Sequence, residues 1–149
     1  MNETMDEIVA GALNDEMNGT AIDVGGGGPG ASVEDVVRSC FTAYEAALVA
    51  GDAAAIDSWF AADPRTIRFG VGEEHWGADE IRRWRHGAPP VPAGRRLSET
   101  RVDLWGDDLA VVTTLFDYPS SSAVGRQSQT WLRTLSGWRI VHAHVSERA

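Results

Sequence analysis

Residues 125–146 have the sequence GRQSQTWLRTLSGWRIVHAHVS, and this stretch decides the fold. Its aromatic and β-branched residues favour two strands, joined by a short turn at Ser136-Gly137. Because side chains alternate along a strand, Gln127, Gln129 and Trp131 share one face of the first strand. We expect Gln129 and Trp131 on that face to line a cavity.

The second strand of this stretch, residues 138–146, also has two different faces. One face carries small apolar residues: Val141, Ala143 and Val145. The other carries Ile140, His142 and His144. Helices pack best on the small apolar face. We therefore expect the opposite face, with Trp138, His142 and His144, to be the outer surface through which the chain forms a homodimer.

Helix and strand signals follow one another through the preceding residues. Ser32 can cap a helix that ends at Gly51, and Asp52 can cap a shorter second helix. The later elements are a strand, a short return strand, a third helix and two more strands: 65–71, 75–77, 80–86, 95–105 and 109–118. This order predicts an α+β fold with three N-terminal helices packed on the concave face of a curved, cone-shaped antiparallel sheet. Such a cone encloses a small-molecule pocket.

Composition divides the chain into two parts. Residues 1–31 contain six acids and no base, and they end in a glycine-rich run. Such a segment buries too little apolar surface to fold, so we predict an acidic disordered tail over 1–31 and one domain over 32–149. No Lys-Ser/Thr pair follows the glycines, which excludes a phosphate-binding loop.

Charge and residue usage exclude several classes of function. The net charge of −9 argues against a nucleic-acid partner. All 13 basic residues are arginines, so lysine chemistry is excluded. No apolar run is long enough to span a membrane, and the N-terminus has no export-signal pattern. The single cysteine, Cys40, is typical of a buried thiol in a reducing compartment, so we expect a cytoplasmic location.

Arg68 is the strongest candidate for a functional residue. It lies between Ile67 and Phe69 on a strand, which places its side chain inside the fold. A buried guanidinium needs an anion, and its planar fork suits a carboxylate. The anion is either a ligand or an internal carboxylate such as Glu45 or Asp57.

Tyr44 lies in the apolar stripe of the first helix, so its hydroxyl points into the protein. It is either a core tyrosine with one hydrogen bond or an acid beside Arg68. Gln129 could orient a urea-like amide through its donor and acceptor.

Other polar groups fit surface positions better. His142 and His144 could bind a metal with a third ligand such as His75, but we expect the pair on the outer face and predict no metal and no cofactor. A cyclase or isomerase would need a carboxylate base, for which Asp57 and Asp117 are the candidates. Five further charged residues fit a solvated turn and a polar helix face: Glu73, Glu74, Arg82, Arg83 and Arg85.

Three segments of the chain resemble a known family. They are TIRFG at 66–70, GRQSQTW at 125–131 and GWRIV followed by AHVS at 137–146. Over residues 32–147 the chain is similar to the AtzH/HpxZ-like branch of the nuclear-transport-factor-2-like (SnoaL-like) superfamily. The resemblance implies a role beside amidases in the catabolism of urea-derived carboxylates, such as oxalurate and the products of cyanuric acid opening.

The resemblance also implies an activity, the cofactor-independent decarboxylation of dicarboxyurea to allophanate. The family's catalytic tyrosine and arginine match Tyr44 and Arg68. In this hypothesis Arg68 binds a carboxylate of the urea-like substrate and Tyr44 donates a proton. The alternative is a non-catalytic ligand-binding or amidase-accessory domain, because cone folds host both kinds of protein.

Overall fold

The computed structural model describes residues 30–149, which form three helices and six strands. The helices are α1 (Val33–Ala50), α2 (Ala53–Ser58) and α3 (Ala78–Gly87). The strands are β1 (Ile67–Phe69), β2 (Glu74–Trp76), β3 (Arg96–Leu104), β4 (Leu109–Asp117), β5 (Val124–Thr134) and β6 (Gly137–Arg148). The tail predicted over residues 1–31 lies outside the described residues except for its last two positions.

The helix boundaries follow from capping residues that the sequence identifies. Ser32 and Asp35 form a reciprocal capping box at the start of α1. Gly51 ends α1 in the left-handed conformation, with φ of 68°. The Asp52 carboxylate accepts a hydrogen bond from the Ala55 N–H at 3.0 Å and so caps α2. The predicted starts of both helices are confirmed.

The strands form one sheet in the order β2-β1-β6-β5-β4-β3. Neighbouring strands are antiparallel except β1 and β6, which are parallel. The helices cover the concave face, where Phe41 and Leu48 of α1 join Trp131 and Ile140 in one core. This architecture confirms the predicted α+β cone fold. The parallel pair was not predicted, because nothing local in a three-residue strand specifies its distant partner.

A bulge in β6 changes which residues face the core. Thr130 pairs with His142 but Trp131 pairs with Ile140, so Val141 is an extra residue on β6. Side-chain alternation is therefore interrupted, and Ile140 faces inward with Ala143. The prediction that Ile140 and Trp138 lie on the outer face is wrong, since they are 0% and 5% exposed.

The helices also bear on two predictions from composition. Cys40 on α1 is buried in the core beside other apolar residues, and burial raises the pKa of its thiol. A buried thiol with a raised pKa is a poor nucleophile, so the structural interpretation of Cys40 is confirmed.

Between residues 30 and 149, no helix combines the length and the apolar character that crossing a membrane requires.

Gly125 is required by close packing rather than by its backbone angles. It pairs with Phe116 across β4 and β5, and a Cβ atom at residue 125 would overlap the Phe116 ring. We expect Gly125→Ala to lower the free energy of unfolding by about 2–3 kcal/mol, because the ring would be forced from its site. Urea denaturation measures the change. Gly87→Ala, where a Cβ meets open space, is the control and should be neutral. Equal midpoints for wild type and Gly125→Ala would contradict this packing argument.

Candidate functional site

A row of inward-facing residues crosses the concave face of the sheet at Arg68. Strand register aligns Arg68 with Ala143 on β6 and Ala143 with Gln129 on β5. On the other side, His75 of β2 pairs with Arg68. Neighbouring strands lie about 4.8 Å apart, so the Arg68 and Gln129 backbones are about 10 Å apart. On this face of the sheet only the methyl group of Ala143 lies between the two side chains.

Arg68 is buried, 8% exposed, as predicted. Its Nη1 donates to Oε1 of Glu73 at 3.0 Å, and its guanidinium carbon lies 3.9 Å from the centre of the Trp84 ring. The predicted internal partners are wrong, because Glu45 binds Arg95 and Asp57 binds Arg82.

Glu73 lies on the turn between β1 and β2, and its side chain is 30% exposed. The prediction of a solvated turn therefore fails for Glu73 and holds for the exposed Glu74. Gly70 makes the Glu73 contact possible, since a Cβ at residue 70 would overlap the Glu73 carboxylate. Glu73 is thus the more exposed member of the ion pair, at 30% against 10% for the Arg68 side chain.

Tyr44 is 4% exposed, and its ring lies 6.3 Å from that of Phe60. Burial raises the pKa of its hydroxyl, and the charge of Arg85, followed by those of Arg68 and Arg95, partly opposes that rise. The hydroxyl makes no hydrogen bond with any residue between 30 and 149. Tyr44 is therefore a protonated donor at neutral pH with no partner in the described chain.

Arg85 is a site residue that the sequence interpretation missed. It was expected on a polar helix face with Arg82 and Arg83, which are exposed, but Arg85 is buried at 9% exposure. Its guanidinium lies 4.5 Å from the centre of the Trp84 ring. The available signal was helical spacing, because Arg85 follows the buried Ile81 by four residues.

The Arg85 guanidinium lacks a counter-ion within the described part of the chain. Its Nε is buried without a hydrogen-bond partner, and no carboxylate of residues 30–149 lies within salt-bridge distance. Burial lowers the pKa of Arg85, although an arginine remains charged at neutral pH.

Gln129 and Trp131 form a buried pair on β5. The Trp131 indole N–H donates to Oε1 of Gln129 at 3.1 Å, and this contact fixes the orientation of the amide. Nε2 of Gln129 is buried without a partner. Gln129 thus offers a ligand its N–H donors, rather than the donor and acceptor that were expected. Trp131 is fully buried against Trp59, so the polar group that it contacts in this row is the Gln129 amide.

A second buried polar cluster adjoins the first and is fully paired. Arg95 donates to both oxygens of Glu45, at 2.8 and 3.2 Å, and to the Tyr118 hydroxyl at 2.9 Å. Gln127 donates to Glu45 and accepts from Arg95. A satisfied network of this kind stabilises the fold. By contrast, Tyr44, Arg85 and Gln129 hold unused donors, and these identify the candidate ligand site.

The histidines do not converge on one point. His142 and His144 contact Phe69 on the outer face, at ring separations of 6.0 and 5.8 Å. His75 lies on the inner face, 4.8 Å from the Trp84 ring. The three-histidine alternative is therefore wrong. In the described segment, no group of three His, Cys, Asp or Glu side chains has an arrangement that could hold a metal ion.

The carboxylates considered as isomerase bases are engaged elsewhere. Asp57 binds Arg82 at 3.0 Å, and Asp117 binds Arg96 at the outer end of β3. Both partner arginines are exposed. This pairing disfavours a carboxylate-based isomerase mechanism at the Arg68 row.

His75 should make stability depend on pH. Burial and the neighbouring Arg68 lower its pKa, and its Nε2 is buried without a partner. Above about pH 6.5 both folded and unfolded states hold neutral imidazole. Below that pH the unfolded state binds the proton more readily, so stability falls as the pH falls.

We therefore expect the decrease in Tm between pH 7.5 and 5.5 to be smaller in His75→Gln than in the wild type. Differential scanning calorimetry measures this difference. His144→Gln, on the exposed outer face, should keep the wild-type dependence. Identical pH profiles for His75→Gln and wild type would contradict the assignment.

The fold defines the class of protein. A nuclear transport factor 2-like superfamily protein from Salmonella enterica aligns over 78% of this chain and 92% of its own, at 21% identity and a TM-score of 0.62. This match is one of fold. It agrees with the helices and curved sheet described above and identifies the cone fold of that superfamily.

Sequence comparison identifies the family. The AtzH-like family model matches residues 30–149, so the chain belongs to the AtzH-like family. A cystatin-like fold protein from Burkholderia xenovorans is 41% identical, with a TM-score of 0.76 over 78% of this chain and 92% of that one. A protein of the DUF3225 family from Pectobacterium atrosepticum is also 41% identical, with a TM-score of 0.76 over 78% and 91%. No curated protein matches the sequence. The resemblance drawn from the sequence is confirmed at the level of the family.

Proposed function

We propose that this protein is a cofactor-independent decarboxylase that acts on a urea-derived N-carboxylate and converts 1,3-dicarboxyurea to allophanate and CO2. The observation that carries the proposal is a set of buried polar side chains, Arg68, Tyr44 and Gln129, among which Nε2 of Gln129 has no hydrogen-bond partner. Such a site suits a small anion with a carbonyl oxygen. Membership of the AtzH-like family agrees with this substrate class.

In the proposed complex, a substrate carboxylate displaces Glu73 and takes the fork of Arg68. A planar guanidinium and a carboxylate form two parallel hydrogen bonds, which fixes the substrate's orientation. The free N–H donors of Gln129, which lies on the other side of Ala143 from Arg68, bind the central urea carbonyl. These contacts place the substrate between the sheet and α1, on which Tyr44 lies.

The chemical step breaks the bond between nitrogen and the carboxylate carbon. The electron pair of that bond remains on nitrogen, and the carboxylate leaves as neutral CO2. Tyr44 donates its proton to the nitrogen as charge develops there, and the tyrosinate then recovers a proton from water. The buried site favours this step because charge is lost from the substrate while a neutral product forms.

Replacing Tyr44 by phenylalanine tests the proton donor. We expect kcat for CO2 release to fall by about 10²- to 10³-fold, with little change in KM, because the hydroxyl acts in the transition state. The variant should fold normally, since the hydroxyl has no partner among the described residues. CO2 release is measured beside binding of malonate as a check on the site. Undiminished kcat in Tyr44→Phe would remove the tyrosine from the mechanism.

We further propose that the protein is a cytoplasmic homodimer that works beside an amidase. Among the residues on the outer face of β2, β1 and β6, Trp76 is 57% exposed and contacts Phe69 beside His142 and His144. An exposed aromatic group of this kind suits a subunit interface. Allophanate carries an amide bond, which is the bond that an amidase hydrolyses. Light scattering at micromolar concentration tests the dimer, and a monomer would contradict it.

A further inference from the structure

Arg85 is the buried charge in the site that the proposed mechanism has not used. Most buried arginines are paired, because a desolvated charge without a counter-ion destabilises the fold. Arg95 has Glu45 and Arg68 has Glu73, but Arg85 has no carboxylate partner in residues 30–149. The described site therefore carries an excess positive charge, which increases when Glu73 leaves Arg68.

Trp84 holds Arg85 near Arg68. The two guanidinium carbons lie 4.5 and 3.9 Å from the centre of the same indole ring. The sum of these distances, about 8.4 Å, is the upper limit on their separation. Arg85 also exerts the largest effect of any neighbouring charge on Tyr44. Arg68 and Arg85 thus lie against one indole ring, and both of their charges act on the Tyr44 hydroxyl.

We propose that Arg85 binds the second carboxylate of a dianionic substrate, so that Arg68 and Arg85 together select dicarboxylates over monocarboxylates. This inference rests on the proposed function for the identity of the substrate, but its binding test does not require turnover. In this proposal, the ligand itself supplies the counter-ion that Arg85 lacks. It also explains why a charge lies on the apolar face of α3 beside Ile81.

A structural arginine and a ligand-binding arginine respond in opposite ways to replacement by methionine. If Arg85 stabilised the empty fold, Arg85→Met would lower Tm. As an unpaired buried cation it should instead destabilise the empty protein, so Arg85→Met is expected to raise Tm by a few degrees. The same variant should lose affinity for dianions.

Isothermal titration with malonate and with acetate measures the selectivity. We expect Arg85→Met to weaken malonate binding by about 30-fold or more, because one charged contact is lost, and acetate binding by less than about threefold. Arg85→Lys, which keeps the charge without the fork, should retain part of the preference for malonate. Arg83→Met is the control on the exposed face of the same helix and should match the wild type in both measurements.

The inference is overturned if Arg85→Met lowers Tm and leaves malonate affinity unchanged. It is also overturned if wild type binds malonate no more tightly than acetate. Failure of the proposed function is a separate result. Arg85-dependent malonate binding without any CO2 release would support the dianion site and reject the decarboxylase.

Discussion

Replacing Arg68 with methionine is expected to lower kcat/KM for decarboxylation of 1,3-dicarboxyurea by about 10³-fold, which corresponds to ~4 kcal/mol. The side chain is buried and aligned across the sheet with Gln129, and the chain has no lysine that could take over its charge. Removing it leaves the substrate carboxylate desolvated without a counter-ion. Initial rates of CO2 release measure the effect.

Two further variants separate the roles of charge and geometry at this position. Arg68→Lys keeps the charge but cannot form two parallel hydrogen bonds, so its rate should lie between those of wild type and Arg68→Met. Glu73→Gln should lower KM, because the internal carboxylate no longer competes for Arg68. A folded Arg68→Met protein with a rate within threefold of wild type would refute the role of Arg68.

The largest effect on stability is expected from Glu45→Ala. Glu45 is the carboxylate partner of Arg95, whose side chain is only 3% exposed. The variant would leave that guanidinium buried without its anion and would also remove the acceptor used by Gln127. We expect the free energy of unfolding to fall by about 3–5 kcal/mol. Chemical denaturation followed by tryptophan fluorescence measures the loss.

Two controls accompany Glu45→Ala: a double variant of the buried ion pair and a single variant of an exposed ion pair. Glu45→Gln with Arg95→Met removes both charges and keeps a hydrogen-bonding side chain for Gln127, so it should be more stable than Glu45→Ala. Glu34→Ala breaks the exposed Glu34–Arg38 pair of α1 and should leave the midpoint nearly unchanged. Equal losses for Glu34→Ala and Glu45→Ala would contradict the structural role of the buried network.

Local signals predicted most of the fold. The helix limits at Ser32, Gly51 and Asp52 depend on capping groups within a few residues, and the inward position of Arg68 follows from strand alternation. These features need no knowledge of distant contacts. The face of β5 that carries Gln129 was predicted in the same way.

What the sequence did not predict depends on long-range packing. The bulge at Val141 arises from pairing between β5 and β6, and it moved Ile140 and Trp138 into the core. Charge favoured an exposed Arg85, although its spacing from Ile81 placed it on the buried stripe of α3. The partner of Arg68 was also missed, because Glu73 reaches it only through a turn at Gly70 that has no Cβ in the way.

The most direct test of the central claim is CO2 release from freshly generated 1,3-dicarboxyurea by the wild-type protein. We predict turnover above the spontaneous rate, with one allophanate formed for each CO2. We also predict that Arg68→Met, folded to the same extent, loses about 10³-fold of that catalysed rate. A folded wild-type protein that binds malonate but releases no CO2 above background would contradict the decarboxylase and leave a ligand-binding domain in its place.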